Sequence, residues 1–106
     1  MKNPMFASIR KYTGVPMLSD ELVKHETEIQ AVLDPIKGFH ALYVIKTDSG
    51  VVSMTLCEDR AGAEESNRVS AQWLKDKLPT FATTTPEITI GEVRIQLERE
   101  LVKVTV

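Results

Sequence analysis

The stretch FHALYVIKTDSGVVSMTLCE, residues Phe39–Glu58, decides the fold. Phe39–Lys46 is rich in aromatic and β-branched side chains, the composition that fits a pleated, half-buried surface. Thr47-Asp48-Ser49-Gly50 is a cluster of turn residues, and Val51–Glu58 repeats the strand pattern beyond it, so the whole stretch predicts a β-hairpin. A four-residue loop puts Phe39, Ala41, Tyr43 and Ile45 on one face with Val52, Met54 and Leu56. The opposite face then carries Leu42, Val44 and Val51, with His40, Ser53, Thr55 and Cys57 among them.

Upstream of the hairpin, Met5–Tyr12 alternates as a strand, with Met5, Ala7 and Ile9 on one side and Phe6, Ser8, Arg10 and Tyr12 on the other. Thr13-Gly14-Val15-Pro16 stops it. Ser19 is placed to cap a helix whose first turn holds Asp20 and Glu21, where the helix dipole favours acids. Leu22, Ile29, Val32 and Leu33 give that helix an apolar stripe, Asp34-Pro35 ends it, and Gly38 leads into the hairpin. Downstream, Asp59 is the N-cap of a second helix running to about Leu78. Ala63, Ser66, Val69, Ser70, Trp73 and Leu74 form one band along it, and Pro79 marks its end. A polar Thr83–Pro86 connector leads to a last strand region, Ile88–Leu97, whose apolar phase slips around Gly91, a position that predicts a β-bulge. Val102, Val104 and Val106 read as a further extended tail.

The order strand–helix–strand–strand–helix–strand predicts an α+β domain of the ferredoxin-like βαββαβ kind, an antiparallel sheet with two helices on one face. Residues 1–106 make a single domain, in which 98–106 is an extra strand or a tail crossing to a dimer partner. Two helices cover only one side of a sheet. The mixed face of Leu42, Val44, Val51, Ser53, Thr55 and Cys57 is too apolar to stay wet, so a second copy of the chain is expected to cover it, giving a homodimer.

Composition narrows the functional classes. Thirteen Lys and Arg against fifteen Asp and Glu, a net charge of −2, leave no basic footprint for nucleic acid. The longest apolar run, Ala41–Ile45, is far short of a membrane span, and Met1-Lys2-Asn3-Pro4-Met5 has no apolar signal core behind it. One cysteine fits a reducing compartment, and a cytoplasmic location is expected. Two histidines and one cysteine far apart in sequence give no metal-ligand spacing, and no phosphate-binding, dinucleotide, metalloprotease or serine-hydrolase motif is present.

Gly38-Phe39 opening the second strand, Leu56-Cys57-Glu58-Asp59 leading into the second helix, and Ala63-Glu64-Glu65-Ser66-Asn67-Arg68 within it resemble the dimeric α+β barrel superfamily. The likeness spans residues 5–97 and is nearest to the antibiotic-biosynthesis-monooxygenase-like group and its uncharacterised small relatives. The resemblance implies a homodimer with a cavity between sheet and helices or between the two sheets. It also implies a cofactor-independent monooxygenase-like activity on a small aromatic or polyketide-like substrate. The superfamily equally contains binders of apolar fatty-acyl or aromatic molecules, and a structural or regulatory homodimer is the third reading, so enzymatic activity stays open. The superfamily's haem-degrading members take their iron ligand from a histidine in the second-helix region. Here no histidine follows His40, and no cofactor is expected.

A cofactor-independent oxygenase needs a dry cavity, a proton acceptor and donors for a substrate anion. His40, Asn67, Arg10 and Tyr43 are the candidate catalytic residues, with Leu42, Val44, Ser53, Thr55, Cys57, Asn67 and Trp73 as candidate ligand contacts. His40 is expected on the mixed face near Ser53, Thr55 or Cys57. Arg10 either reaches into the barrel or, the preferred reading, pairs with an acid such as Glu58. Cys57 and Trp73 read first as packing residues.

Overall fold

A computed structural model describes residues 4–99. Four strands, β1 (Phe6–Thr13), β2 (Phe39–Lys46), β3 (Gly50–Cys57) and β4 (Glu87–Glu92), form one antiparallel sheet in the order β2-β3-β1-β4. Three helices, α1 (Leu18–Lys24), α2 (Glu26–Leu33) and α3 (Arg60–Lys77), complete the described residues. This is the ferredoxin-like arrangement, with the first helix of the pattern divided in two.

The hairpin forms as the turn chemistry dictates. The Thr47 amide donates to the Gly50 carbonyl at 3.0 Å, and the Thr47 hydroxyl accepts from the Gly50 amide at 3.1 Å. Gly50 is required by close approach rather than by turn type, because a Cβ there would lie 2.1 Å from the Tyr12 carbonyl oxygen on β1. Gly38 has φ of +82°, the left-handed region that favours glycine, and so redirects the chain into β2.

Three local expectations are corrected. The helix expected to be capped by Ser19 begins two residues earlier, with Met17 at its N-cap, and breaks at His25, whose φ of −112° and ψ of 21° lie off the helical region. The expected bulge at Gly91 is absent: β4 pairs with β1 without interruption through Ala7–Gly91 and Phe6–Glu92. One further backbone bond, from the Val93 amide to the Met5 carbonyl at 2.8 Å, closes the pairing, and Ile95 and Leu97 beyond it are exposed. The sheet's bulge lies in β2, where the register shifts between Phe39 and Ala41 and makes His40 the extra residue. The tail strand anticipated at Val102–Val106 falls outside the described residues, as do all but the first two residues of the 98–106 segment.

The main correction concerns the two faces of the sheet. The helices lie on the mixed face. Ser8, Arg10 and Tyr12 of β1 and Val51, Ser53, Thr55 and Cys57 of β3 are all buried beneath them. The core cluster is Tyr12, Val15, Leu18, Val51, Trp73 and Leu74. The strongly apolar face, Ala7, Ile9, Ala41, Tyr43, Ile45, Val52, Met54 and Leu56, has no described element over it. Tyr43 and Ile45 are about half exposed there, at 52% and 50%. The physical reason lies in α3. Its sheet-facing band contains Ala63, Ser66, Asn67 and Ser70, small and polar side chains that fit a polar sheet surface and would waste an apolar one.

Candidate functional site

Strand register assembles the site. Val44, Ser53, Arg10 and Ile88 lie side by side across the sheet, and Leu42, Thr55, Ser8 and Ile90 form the next row. Asp59, in extended conformation, caps α3 by accepting from the Gly62 amide at 2.7 Å, and this fixes where the helix begins. From that start Ser66, Asn67, Ser70, Trp73 and Leu74 fall on the sheet side at helical spacing. Between these rows and the helices lies a half-open cavity of about 60 Å³. Its walls are apolar, from Leu18, Leu22, Ile29, Val32, Leu33, Leu42, Val44, Val51 and Leu74. Arg10, Tyr12, Ser53, Ser70 and Trp73 are its polar members.

Arg10 is 2% exposed. Its Nε donates to Ser53 Oγ at 3.0 Å, Nη2 to Thr55 Oγ1 at 2.6 Å, and Nη1 to Asn67 Oδ1 at 2.7 Å. Nη1 has longer contacts with Ser66 Oγ at 3.3 Å and Ser8 Oγ at 3.5 Å. Ser8 donates its own hydroxyl to Asn67 Oδ1 and Ser66 donates to the Ala63 carbonyl, so both present lone pairs to the guanidinium. Every acceptor is neutral. Among the described residues no carboxylate makes an ion pair with Arg10, and the expected partnership with Glu58 is not formed.

A buried cation without a counter-charge costs several kcal/mol, which hydrogen bonds to neutral oxygens only partly offset. Burial accordingly pulls the Arg10 pKa below its ordinary value, Tyr12 and Cys57 opposing the shift; a guanidinium nonetheless stays charged at neutral pH. Of its five N–H bonds, the contacts engage the one on Nε, both on Nη1 and one on Nη2. The second N–H on Nη2 is left without an acceptor among the described residues. Beside it, Ser53 accepts from Nε and keeps its hydroxyl hydrogen for another acceptor. Trp73 also lines the cavity, and its buried Nε1 has no acceptor among the described residues. Burial pushes the Tyr12 phenol up, against the pull of Arg10, so it too stays protonated at neutral pH. The cavity therefore offers one positive charge and several hydrogen-bond donors in apolar surroundings, the chemistry of an organic-anion site.

The structure brings Arg10, Leu42, Val44, Ser53 and Trp73 together around this cavity, with Thr55 and Asn67 holding Arg10 from beneath and from α3. It does not bring the remaining candidates there. Tyr43 points from the opposite face, and Cys57 is fully buried outside the cavity lining, its thiol pushed up by burial and by Asp59 against the pull of Arg10. His40, at the β2 bulge, is exposed and does not line the cavity. It lines a second space, an open groove of about 650 Å³ between α1–α2 and the free edge of β2. Tyr12 and Ser8 were not anticipated as site residues, although alternation alone puts both on the face of Arg10. The roof residues Leu18, Leu22, Ile29, Val32 and Leu33 carried only the signal of an ordinary core stripe. The described residues hold no cluster of three or more His, Cys, Asp or Glu suited to a metal ion, and no described helix is long and apolar enough to cross a membrane.

No protein-family model and no curated protein sequence matches the chain. Solved structures match it throughout. A protein of unknown function from Nitrosomonas europaea, NE2512, aligns with a TM-score of 0.69 at 16% identity, over 93% of this chain and 98% of its own. A monooxygenase from the gene ActVA-Orf6 of Streptomyces coelicolor, solved in complex with nanaomycin D, aligns with a TM-score of 0.63 at 15% identity, over 93% and 95%. A dimeric ferredoxin-like protein from an uncultured marine organism gives 0.61 at 14% identity, over 92% and 94%.

Proposed function

We propose that the chain, which has the fold of the dimeric α+β barrel proteins, is a homodimeric, cofactor-independent oxygenase of small phenolic or enolic substrates. The observation that carries this reading is Arg10: a buried cation, held only by neutral oxygens, on the wall of an apolar cavity. With the Ser53 hydroxyl hydrogen beside it, this cation offers an oxyanion both charge and a donor.

A phenol bound with its oxygen at Arg10 and Ser53 gives up its proton readily, because the site favours the anion. The electron-rich phenolate passes one electron to dioxygen, an apolar molecule that enters an apolar cavity. The two radicals combine at the ring carbon para to the oxygen, forming a C–O bond. The peroxide takes up a proton, the para hydrogen leaves as a proton, and the O–O bond breaks with loss of hydroxide. The phenol's O–H and para C–H hydrogens depart with one oxygen atom as water, and the other oxygen becomes the second quinone carbonyl. The substrate loses four electrons and dioxygen gains four, so no reductant or cofactor enters the balance.

The apolar face of Ala7, Ile9, Ala41, Tyr43, Ile45, Val52, Met54 and Leu56 is the seam of the dimer in this reading, two sheets packed face to face about 10 Å apart. The experiment is oxygen uptake with 1-naphthol, followed together with the absorbance of 1,4-naphthoquinone. The expected result is one quinone per dioxygen, with the rate falling about 100-fold in Arg10→Met, the scale on which oxyanion donors act. Equal rates in the two proteins overturn the proposal. A second reading, a binder that does no chemistry, is favoured by one specific observation: no Asp, Glu or His lines the cavity, so no side chain there is an evident base. Tight binding of 1-naphtholate without oxygen uptake selects it.

A further inference from the structure

The inner cavity is small for the ligand its chemistry calls for. Its volume of about 60 Å³ is well below the ~150 Å³ of an engineered cavity that holds benzene. A ring does not fit beside Arg10 with the walls as they stand. The groove at the β2 edge has about 650 Å³, and it is not independent of the cavity: Leu22, Ile29, Leu33, Leu42 and Val44 line both. The two spaces are separated only by side chains. Those from above stand on α1 and α2, two short helices that meet at the break at His25. Those from below stand on β2, an edge strand with β3 on one side and no described strand on the other. Val44 is already 39% exposed toward solvent.

We infer that cavity and groove are the two halves of one ligand site, divided by Val44 and Leu22. The ligand is an amphipathic organic anion whose single oxyanion enters the inner cavity while its apolar body lies in the groove across β2. This rests on Arg10 holding the oxyanion, as proposed above, and adds where the rest of the molecule goes and what limits its size. Val44 is then a specificity-determining residue, because it shares a row with Ser53 and Arg10 and stands where the body of the ligand must pass. The groove's lining also includes the polar side chains Ser19, Glu26, Gln30, His40 and Lys46, so the body of the ligand can carry hydrogen-bonding groups.

Two probes separate the halves. Formate is small enough for the inner cavity, whereas the anion of 2-hydroxy-1,4-naphthoquinone has a fused ring pair that is not. Binding of each is read from the fluorescence of Trp73, the sole tryptophan, which lines the inner cavity. In Val44→Phe the affinity for the naphthoquinone relative to formate is expected to fall at least tenfold, and in Leu22→Ala that ratio is expected to rise. Unchanged ratios in both variants, or failure of the naphthoquinone to bind the unaltered protein, overturn the two-part site. Should Val44→Phe fail to fold, the rise in Leu22→Ala decides alone. Arg10→Lys tests the premise separately: if both probes bind it as they bind the unaltered protein, the oxyanion reading itself falls.

Discussion

Met54→Glu is the substitution that most directly tests which face of the sheet is the seam between subunits. Met54 lies in the middle of β3, opposite Ile9 on one side and Tyr43 on the other, at the centre of the uncovered apolar face. Ile9, Tyr43 and Ile45 on that face remain 38%, 52% and 50% exposed. Complete burial of such a side chain is worth about 1.5–3 kcal/mol, so covering the exposed half yields about 0.7–1.5 kcal/mol each. A two-fold seam counts every residue twice, and the three side chains together contribute roughly 4–9 kcal/mol to association. A glutamate at position 54 brings two carboxylates into the same seam, each costing several kcal/mol to strip of water. A loss of about 4 kcal/mol raises the dimer Kd about 1,000-fold. Sedimentation velocity between 1 and 100 µM should therefore show a dimer for the unaltered chain and a monomer for Met54→Glu. Circular dichroism should show the variant folded, because in the single subunit this face already meets water. Val51→Glu, on the same strand and fully buried in the core under the helices, should instead unfold the chain. A Met54→Glu protein that stays dimeric at 1 µM would refute the assignment of this face.

Two further outcomes follow from local chemistry. Asp59→Ala removes the side-chain acceptor that caps α3 and should cost about 1 kcal/mol, lowering the Tm by about 4–8 °C, while Asp59→Asn keeps most of the stability; thermal denaturation followed at 222 nm measures both. Cys57 has a raised thiol pKa through burial, so its protonated form favours the native state. That contribution is complete below the unfolded value of 9.0 and is lost as pH rises through the folded one. Denaturant titrations from pH 8 to 10 should show stability falling less steeply in Cys57→Ala than in the unaltered protein, and equal slopes would contradict it.

Much of the fold was legible because its signals are local. The hairpin at Phe39–Glu58, the cap at Asp59, the turn at Gly38 and the strand alternation of β1 all rest on neighbours within a few residues, and each appears where the sequence puts it. The break at His25 was not legible, since Leu22, Ile29, Val32 and Leu33 keep one stripe across it and no glycine or proline marks it. The bulge was placed at Gly91 because the apolar phase changes there. In the structure that change has a different cause: beyond the Val93–Met5 bond the chain leaves the sheet, and its alternation answers to no described strand.

The site was legible in its parts and not in its assembly. Assigning the helices to the most apolar face follows hydrophobic burial within one chain, and that rule fails where the largest apolar surface is left uncovered. The correcting signal was in α3, whose inward band of Ala63, Ser66, Asn67 and Ser70 matches Ser8, Arg10, Ser53 and Thr55 rather than Ile9, Tyr43 and Met54. Once that band is read, Arg10 must lie indoors, and its pairing with Glu58, which would have needed it near the surface, drops out. The exchange of faces also changes what association does for the fold. With a charged, hydrogen-bonded row beneath its helices, the subunit keeps one face of its sheet polar and the other apolar. In the proposed dimer the seam between sheets buries the apolar face, and the space under the helices is left polar and partly hollow. Association then rests on one face of the sheet and ligand chemistry on the other, so a substitution at Met54 and one at Arg10 should affect different properties of the same protein.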